Sequence, residues 1–190
     1  MANSIQPILL NGHWTSSKGT SVFQAVNPVT EEQLTGRFPV SPWEEIETAI
    51  DAAAKVSRQM RGWPGSRFAD FLECYAKEIE ARAEPLIEAA HAETGLPVSP
   101  RLKDAELPRT TSQLRQAAKA ARTDAWRNPV IDTAAGIRAM FGPIGPVVVF
   151  GPNNFPFAFN GISGGDFAAA VAAGNPVIAK GHPCHPETTR

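Results

Sequence analysis

Cysteine is nearly absent: Cys74 and Cys184 are the only two in 190 residues. They lie far apart, so no disulfide framework is indicated and a reducing cytoplasm is the natural setting. An excess of either charge is also missing, since 18 Lys and Arg face 19 Asp and Glu for a net charge of -1. Without a basic excess, nucleic acid and acidic membranes are not expected partners. No apolar run nears the ~20 residues that cross a bilayer; the longest lie around residues 146–150 and 168–173. Residues 1–7 have no basic stretch leading into a hydrophobic one, so no signal peptide is read there. The dinucleotide fingerprint G-x-G-x-x-G is missing as well, because Gly142 and Gly145 precede an apolar strand instead of following it. What is present is 43% hydrophobic and 19% charged, an ordinary globular composition for one or two domains.

The pattern changes near residue 140. Before it, Asn11-Gly12 between apolar runs predicts a tight hairpin, with two or three short strands over residues 8–27. Ser41-Pro42-Trp43-Glu44 predicts a capped helix start, with Ile46, Ala49, Ile50, Ala53 and Ser57 on one face. Phe68, Phe71, Leu72, Tyr75 and Ile79 form a second stripe. Cys74 flanks that stripe and is expected to be buried packing, not a nucleophile. Leu86, Ile87 and Ala90 form a third stripe ending at Gly95, the place for a left-handed cap. A fourth helix is expected over residues 109–125, with Pro108 breaking or kinking any helix that runs through from Leu102. Residues 127–139 read as a hairpin of exposed strands whose edges would seek a partner subunit.

From Ile144 onward the chain reads as strand, helix, strand. Val147-Val148-Val149-Phe150 is continuously apolar, as in a parallel-sheet strand buried on both faces. An alanine-rich helix follows Gly164-Gly165-Asp166, and Val177-Ile178-Ala179-Lys180 forms the next strand. Ligands of such sheets lie at the carboxyl ends of the strands, which points to residues 151–155 and 180–182. The fold class is α/β: an incomplete Rossmann-like parallel sheet with helices, plus short antiparallel strands. The expected division is an N-terminal helical region with hairpin strands over residues 1–139, then the start of a cofactor-binding domain over 140–190.

The run FGPIGPVVVFGPNNFP at 141–156, followed by AAAVAAGNPVIAK at 168–180, resembles the aldehyde dehydrogenase superfamily. Asn27-Pro-Val-Thr30, Glu93-Thr-Gly95 and the Arg109–Arg115 run extend the likeness over the whole chain. With Lys180-Gly-His-Pro-Cys-His-Pro186, it is most similar to the branch that oxidises 2-oxoglutarate semialdehyde and to NADP-dependent relatives. The resemblance implies NAD(P)+-dependent oxidation of an aldehyde to a carboxylic acid through a cysteine thiohemiacetal. It implies a catalytic role for Asn154, whose amide would stabilise the developing oxyanion. Outside the resemblance, Asn154 reads simply as a turn cap. Phe150, Gly151, Pro152, Asn153, Lys180 and His182 are the implied NADP or NAD contacts. Pro183 occupies the position where NAD-preferring members carry a glutamate, so NADP+ is expected to be accepted at least as well as NAD+.

His182, Cys184 and His185 are zinc-binding residue types, but their spacing and flanking prolines match no metal motif, so no metal is expected. Phe155, Phe157 and Phe159 can fill a core or wall a substrate tunnel; the sequence leaves both open. The nucleophilic cysteine and general-base glutamate of the family lie beyond the point matching Arg190, and 187–190 reads as a helix just beginning. The chain is therefore expected to be inactive alone and part of a homo-oligomer in complete form. The alternative is a non-catalytic remnant acting as a binding or assembly module with a full-length paralogue.

Overall fold

A computed structural model describes residues 4–190; the reading of residues 1–7 lies partly outside them. The Asn-Gly signal produces its hairpin. β1 (Ile8–Leu10) pairs antiparallel with β2 (His13–Thr15), and both Asn11 and Gly12 adopt positive φ, as a two-residue turn matched to strand twist requires. β3 (Val22–Phe23) pairs antiparallel with β4 (Phe38–Pro39).

Helix α1 (Trp43–Met60) starts where expected, but Ser41 makes no capping bond. Its hydroxyl instead joins those of Ser17 and the Lys18 amide in donating to the Glu45 carboxylate, at 2.8 Å from Ser17 Oγ and 2.5 Å from Lys18 N. Burial pushes the Glu45 carboxyl up, yet these donors outweigh it and leave its pKa lowered. Ala53 and Ser57 of the expected stripe of α1 are buried, but Ile46 and Ile50 are exposed, and Glu45 and Met60 complete the buried face instead.

Helices α2 (Gly65–Ala81) and α3 (Ala83–Thr94) follow, and Gly95 closes α3 at φ 68°, the left-handed cap that glycine adopts without a Cβ clash. Phe68, Leu72 and Ile79 of α2 are buried as predicted. Cys74 is not buried but exposed: it lies two residues from both Leu72 and Ala76, which turns it to the solvent side of α2. A wide-turn helical segment (Val98–Glu106) leads straight into α4 (Leu107–Arg122), and the Leu107 amide reaches back to the Leu102 carbonyl. The break expected at Pro108 is thus a change of turn width one residue earlier. Pro108 falls in the first turn of α4, where its missing amide costs little.

α2 and α4 share the most extensive interhelical contact. The core joins Phe68, Leu72, Leu102, Leu114 and Ala118 to Phe157, Ala168 and Val171, so it crosses residue 140 without interruption. Tyr75 bridges Phe71 and Phe167, and burial pushes its hydroxyl pKa up to about 12. The hairpin of β5 (Val130–Asp132) and β6 (Ile137–Ala139) stands apart, with every residue exposed.

β7 (Val147–Phe150) and β8 (Val177–Lys180) pair in parallel, Phe150 opposite Lys180, joined through α5 (Gly165–Ala172). The buried Asn175 ties this crossover together: Oδ1 accepts from the Ile144 and Gly145 amides at 2.8 and 2.9 Å, and Nδ2 donates to the Ala170 carbonyl at 3.2 Å. β7 is not buried on both faces. Val149 alone is buried and Phe150 is 70% exposed, because the sheet has only two strands and lacks cover on one side. α6 (Pro186–Thr189) ends the chain. Among the described residues, no helix is long and apolar enough to cross a membrane.

Two expectations follow from this packing. Leu114→Ala, at a position with no exposure, lowers unfolding free energy by about 2–5 kcal/mol, whereas Ile137→Ala, 59% exposed on the hairpin, costs less than about 1 kcal/mol; denaturant titration of both checks this. The lowered pKa of Glu45 means that its ionised form favours folding. Its contribution is therefore present above the ordinary carboxylate pKa and lost as pH falls through the folded value. Glu45→Gln flattens that acid limb of the stability profile relative to the unsubstituted chain.

Candidate functional site

The turn after β7 is held from three sides. Glu106, 1% exposed, lies where the wide-turn segment meets α4. Its Oε1 accepts the Phe157 and Ala158 amides at 2.9 and 3.0 Å, and its Oε2 pairs with Arg101 Nη1. Arg101 Nη2 donates in turn to the Asn154 carbonyl at 2.9 Å. A buried carboxylate is tolerated only when its lone pairs are matched in this way. From the opposite side, the ring of the buried His185 meets the Pro152 carbonyl at 3.0 Å, donating through Nε2. Asn160 braces the far end, its Nδ2 donating to the Pro156 carbonyl at 2.9 Å and to Thr189 Oγ1 at 3.1 Å.

Asn154 stands exposed on the turn so fixed. No described side chain or backbone group engages its amide. The turn-capping work belongs to Asn160, and the Asn154 amide is an available donor. Gly151 has no room for a side chain: a Cβ there would meet the Phe159 carbonyl oxygen at 2.7 Å and the Gly161 nitrogen at 2.9 Å. Its glycine identity is accounted for by close backbone packing alone. Pro152 and Asn153 are exposed. Phe157 enters the core, while Phe155 and Phe159 stay half-buried and meet edge to face with centroids 5.0 Å apart. Core filling thus holds for Phe157.

Lys180 is exposed at the carboxyl end of β8, directly across from Phe150. His182 Nδ1 accepts the Cys184 amide at 3.1 Å, which places the proton of the neutral ring on Nε2. Burial lowers the His182 pKa, aided by repulsion from His185 and Lys180, so at neutral pH His182 is an uncharged donor. His182 stacks on His185, and among the described residues no group of three His, Cys, Asp or Glu could hold a metal ion. Glu93 anchors this corner by accepting the Glu187 and Thr188 amides at 2.7 and 2.8 Å. Its carboxyl is raised by burial, which these donors only partly offset.

Sequence reasoning missed Glu106 and Arg101. Their i, i+5 separation matches the wide turn and not the i, i+4 pairing of an α-helix, so the spacing alone gave no signal. Two concavities lie away from this turn. One of about 330 Å³ is bounded by Ala25, Phe38, Ala89 and Glu93, and another of about 520 Å³ by Pro108, Thr111 and Arg115. The turn is an open surface in this chain.

A parallel strand pair joined through a helix is a strand–helix–strand unit of an α/β protein. The sequence model of the aldehyde dehydrogenase family matches residues 14–189, and the chain belongs to that family. It is 43% identical over 157 residues to alpha-ketoglutaric semialdehyde dehydrogenase 2 of Azospirillum brasilense, covering 78% of this chain and 29% of that protein. It is 35% identical over 189 residues to alpha-ketoglutaric semialdehyde dehydrogenase of Acinetobacter baylyi, covering 94% and 35%. The chain therefore spans about a third of the length of these curated relatives. Among solved structures, aldehyde dehydrogenase 21 of Physcomitrella patens, in complex with the reaction product succinate, superposes with TM-score 0.82 at 22% identity, over 99% of this chain and 39% of that one. NADP-dependent glyceraldehyde-3-phosphate dehydrogenase of Bacillus halodurans, complexed with NADP, gives 0.80 at 23%, over 98% and 39%. These two likenesses establish the fold.

Glu106→Ala leaves two buried amides without an acceptor and Arg101 without its partner. It lowers unfolding free energy by about 3 kcal/mol or more, whereas Glu106→Gln, which keeps an acceptor oxygen for the amides, costs distinctly less. Equal losses in denaturant unfolding would show that the two amide bonds do not matter.

Proposed function

We propose that this chain is the N-terminal part of an NAD(P)+-dependent aldehyde dehydrogenase that oxidises a semialdehyde to a carboxylic acid. The observation that carries this reading is the unengaged Asn154 amide on a turn braced by Glu106, Arg101 and His185. A fixed donor costs no reorganisation when charge develops on an aldehyde oxygen, and such a donor contributes about 10²–10³ in rate. In the complete enzyme, a cysteine thiolate would form the thiohemiacetal and a glutamate would activate water, both supplied by sequence outside these 190 residues. This piece alone would be inactive. The names of the two relatives, both alpha-ketoglutaric semialdehyde dehydrogenases, support the substrate class.

Residues 140–190 are proposed as the start of the cofactor-binding domain and residues 1–139 as the helical region with oligomerisation strands. Lys180 and His182 would hold the adenosine ribose or its 2′-phosphate, with Phe150, Gly151, Pro152 and Asn153 lining the approach. These residues fit the cofactor, since Lys180 is an unpaired cation and His182 Nε2–H a free donor at a strand end, with no carboxylate at position 183 to repel a phosphate. When bound, NAD(P)+ supplies the hydride acceptor. The wholly exposed β5–β6 hairpin favours pairing between chains in a cytoplasmic homo-oligomer. It equally fits the second reading, a non-catalytic module that assembles with a longer relative.

Equilibrium titration tests the cofactor assignment. NADP+ is expected to bind the chain at least as tightly as NAD+, and Lys180→Met to weaken NADP+ by about tenfold while affecting NAD+ less. A clear preference for NAD+, or indifference of NADP+ to Lys180→Met, would reject it. Nucleotide binding that persists in a stable complex with a longer relative but yields no turnover would favour the module.

A further inference from the structure

Arg109 carries a guanidinium that no carboxylate or carbonyl among the described residues engages. It stands 5.0 Å from the centroid of the Phe159 ring and 5.8 Å from that of Phe155. Arg101 stands over the same Phe155 ring at 4.4 Å, but its N–H groups are committed to Glu106 and to the Asn154 carbonyl. The two arginines therefore differ in kind. Arg101 is ion-paired with Glu106, whereas Arg109 forms no ion pair among the described residues, so the aromatic pair is bordered by one committed and one uncommitted guanidinium.

A guanidinium supported on aromatic rings keeps its in-plane N–H edges free. That planar fork matches a carboxylate through two parallel charge-assisted hydrogen bonds, which a lysine ammonium cannot reproduce. Phe155 directly follows Asn154 in the chain, so the aromatic pair belongs to the same braced turn as the proposed oxyanion donor.

We propose that Arg109, seated on Phe155 and Phe159, is a carboxylate-binding and specificity-determining residue that selects aldehydes carrying a carboxylate at the far end of the acyl chain. This rests on the reading of Asn154 as the donor to the aldehyde oxygen. Phe155 and Phe159 provide the apolar surface for the intervening methylenes, and Arg109 distinguishes a charged terminus from a neutral one.

Glutarate and its neutral diamide, glutaramide, are the probes, titrated into the chain and followed by NMR of the arginine Nε–H groups and the Asn154 side-chain amide. Glutarate is expected to shift both signals and to bind about tenfold or more tightly than glutaramide. Arg109→Gln removes that preference without moving the unfolding midpoint, and Arg109→Lys restores only part of it. The proposal is overturned if glutarate shows no saturable binding, if glutaramide binds equally well, or if Arg109→Gln leaves glutarate affinity unchanged. NADP+ titrated in parallel separates the two readings. Retained NADP+ binding with glutarate indifferent to Arg109 removes the carboxylate seat alone. An Arg109-dependent glutarate site in a chain that binds neither nicotinamide dinucleotide supports the seat and removes the oxidoreductase reading.

Discussion

The carboxylate of Glu106 is the constraint on which the candidate site depends. It is a charge withdrawn from water, and it persists there because two backbone amides and a guanidinium meet it. Those amides belong to Phe157 and Ala158, and the guanidinium of Arg101 reaches on to the Asn154 carbonyl. One side chain on the helical layer thereby fixes the backbone of a turn that begins at the end of β7. Burial of Pro156, Phe157 and Ala158 adds packing to these polar ties, so the turn is held both by its carboxylate and by the core.

The molecule divides into a well-packed interior and an open side. The α2–α4 pair, with Leu72, Leu102 and Leu114 fully buried, supplies the rigid base. Phe157 links the turn into that base, and the α5 crossover delivers β8 beside β7. The other side consists of the exposed hairpin, Phe150 and Ile144. The chain spans about a third of the length of its curated relatives.

Most elements could be read from sequence because their signals are local. Asn11-Gly12 demands positive φ at two successive residues, Gly95 at one, and the Val147 and Val177 runs have strand length and composition. Local signals also misled. Ser41 looked like a helix cap, but its hydroxyl was drawn to Glu45, a partner that also gathers Ser17 and Lys18 from a distant strand connection. Cys74 was placed by proximity to an apolar stripe, whereas its angle on the helix turned it outward. For the site, the family motif pointed to Asn154, Lys180 and His182, yet the residues that brace the turn left no trace. Glu106 lies far in sequence from Phe157, and its pairing with Arg101 depends on a wide helical turn that no periodicity argument anticipates. Arg109 sat inside a motif but acquired its meaning only from the rings beneath it.

Native-state amide hydrogen exchange at Phe157 and Ala158 tests the central claim most directly. If the buried carboxylate holds the turn, both amides exchange only through opening that costs nearly the full unfolding free energy, alongside core amides such as that of Leu114. Exchange at the fast rates of exposed loop amides such as Asn153 would contradict the account, since the turn would then open without disturbing Glu106 or the helices that carry it.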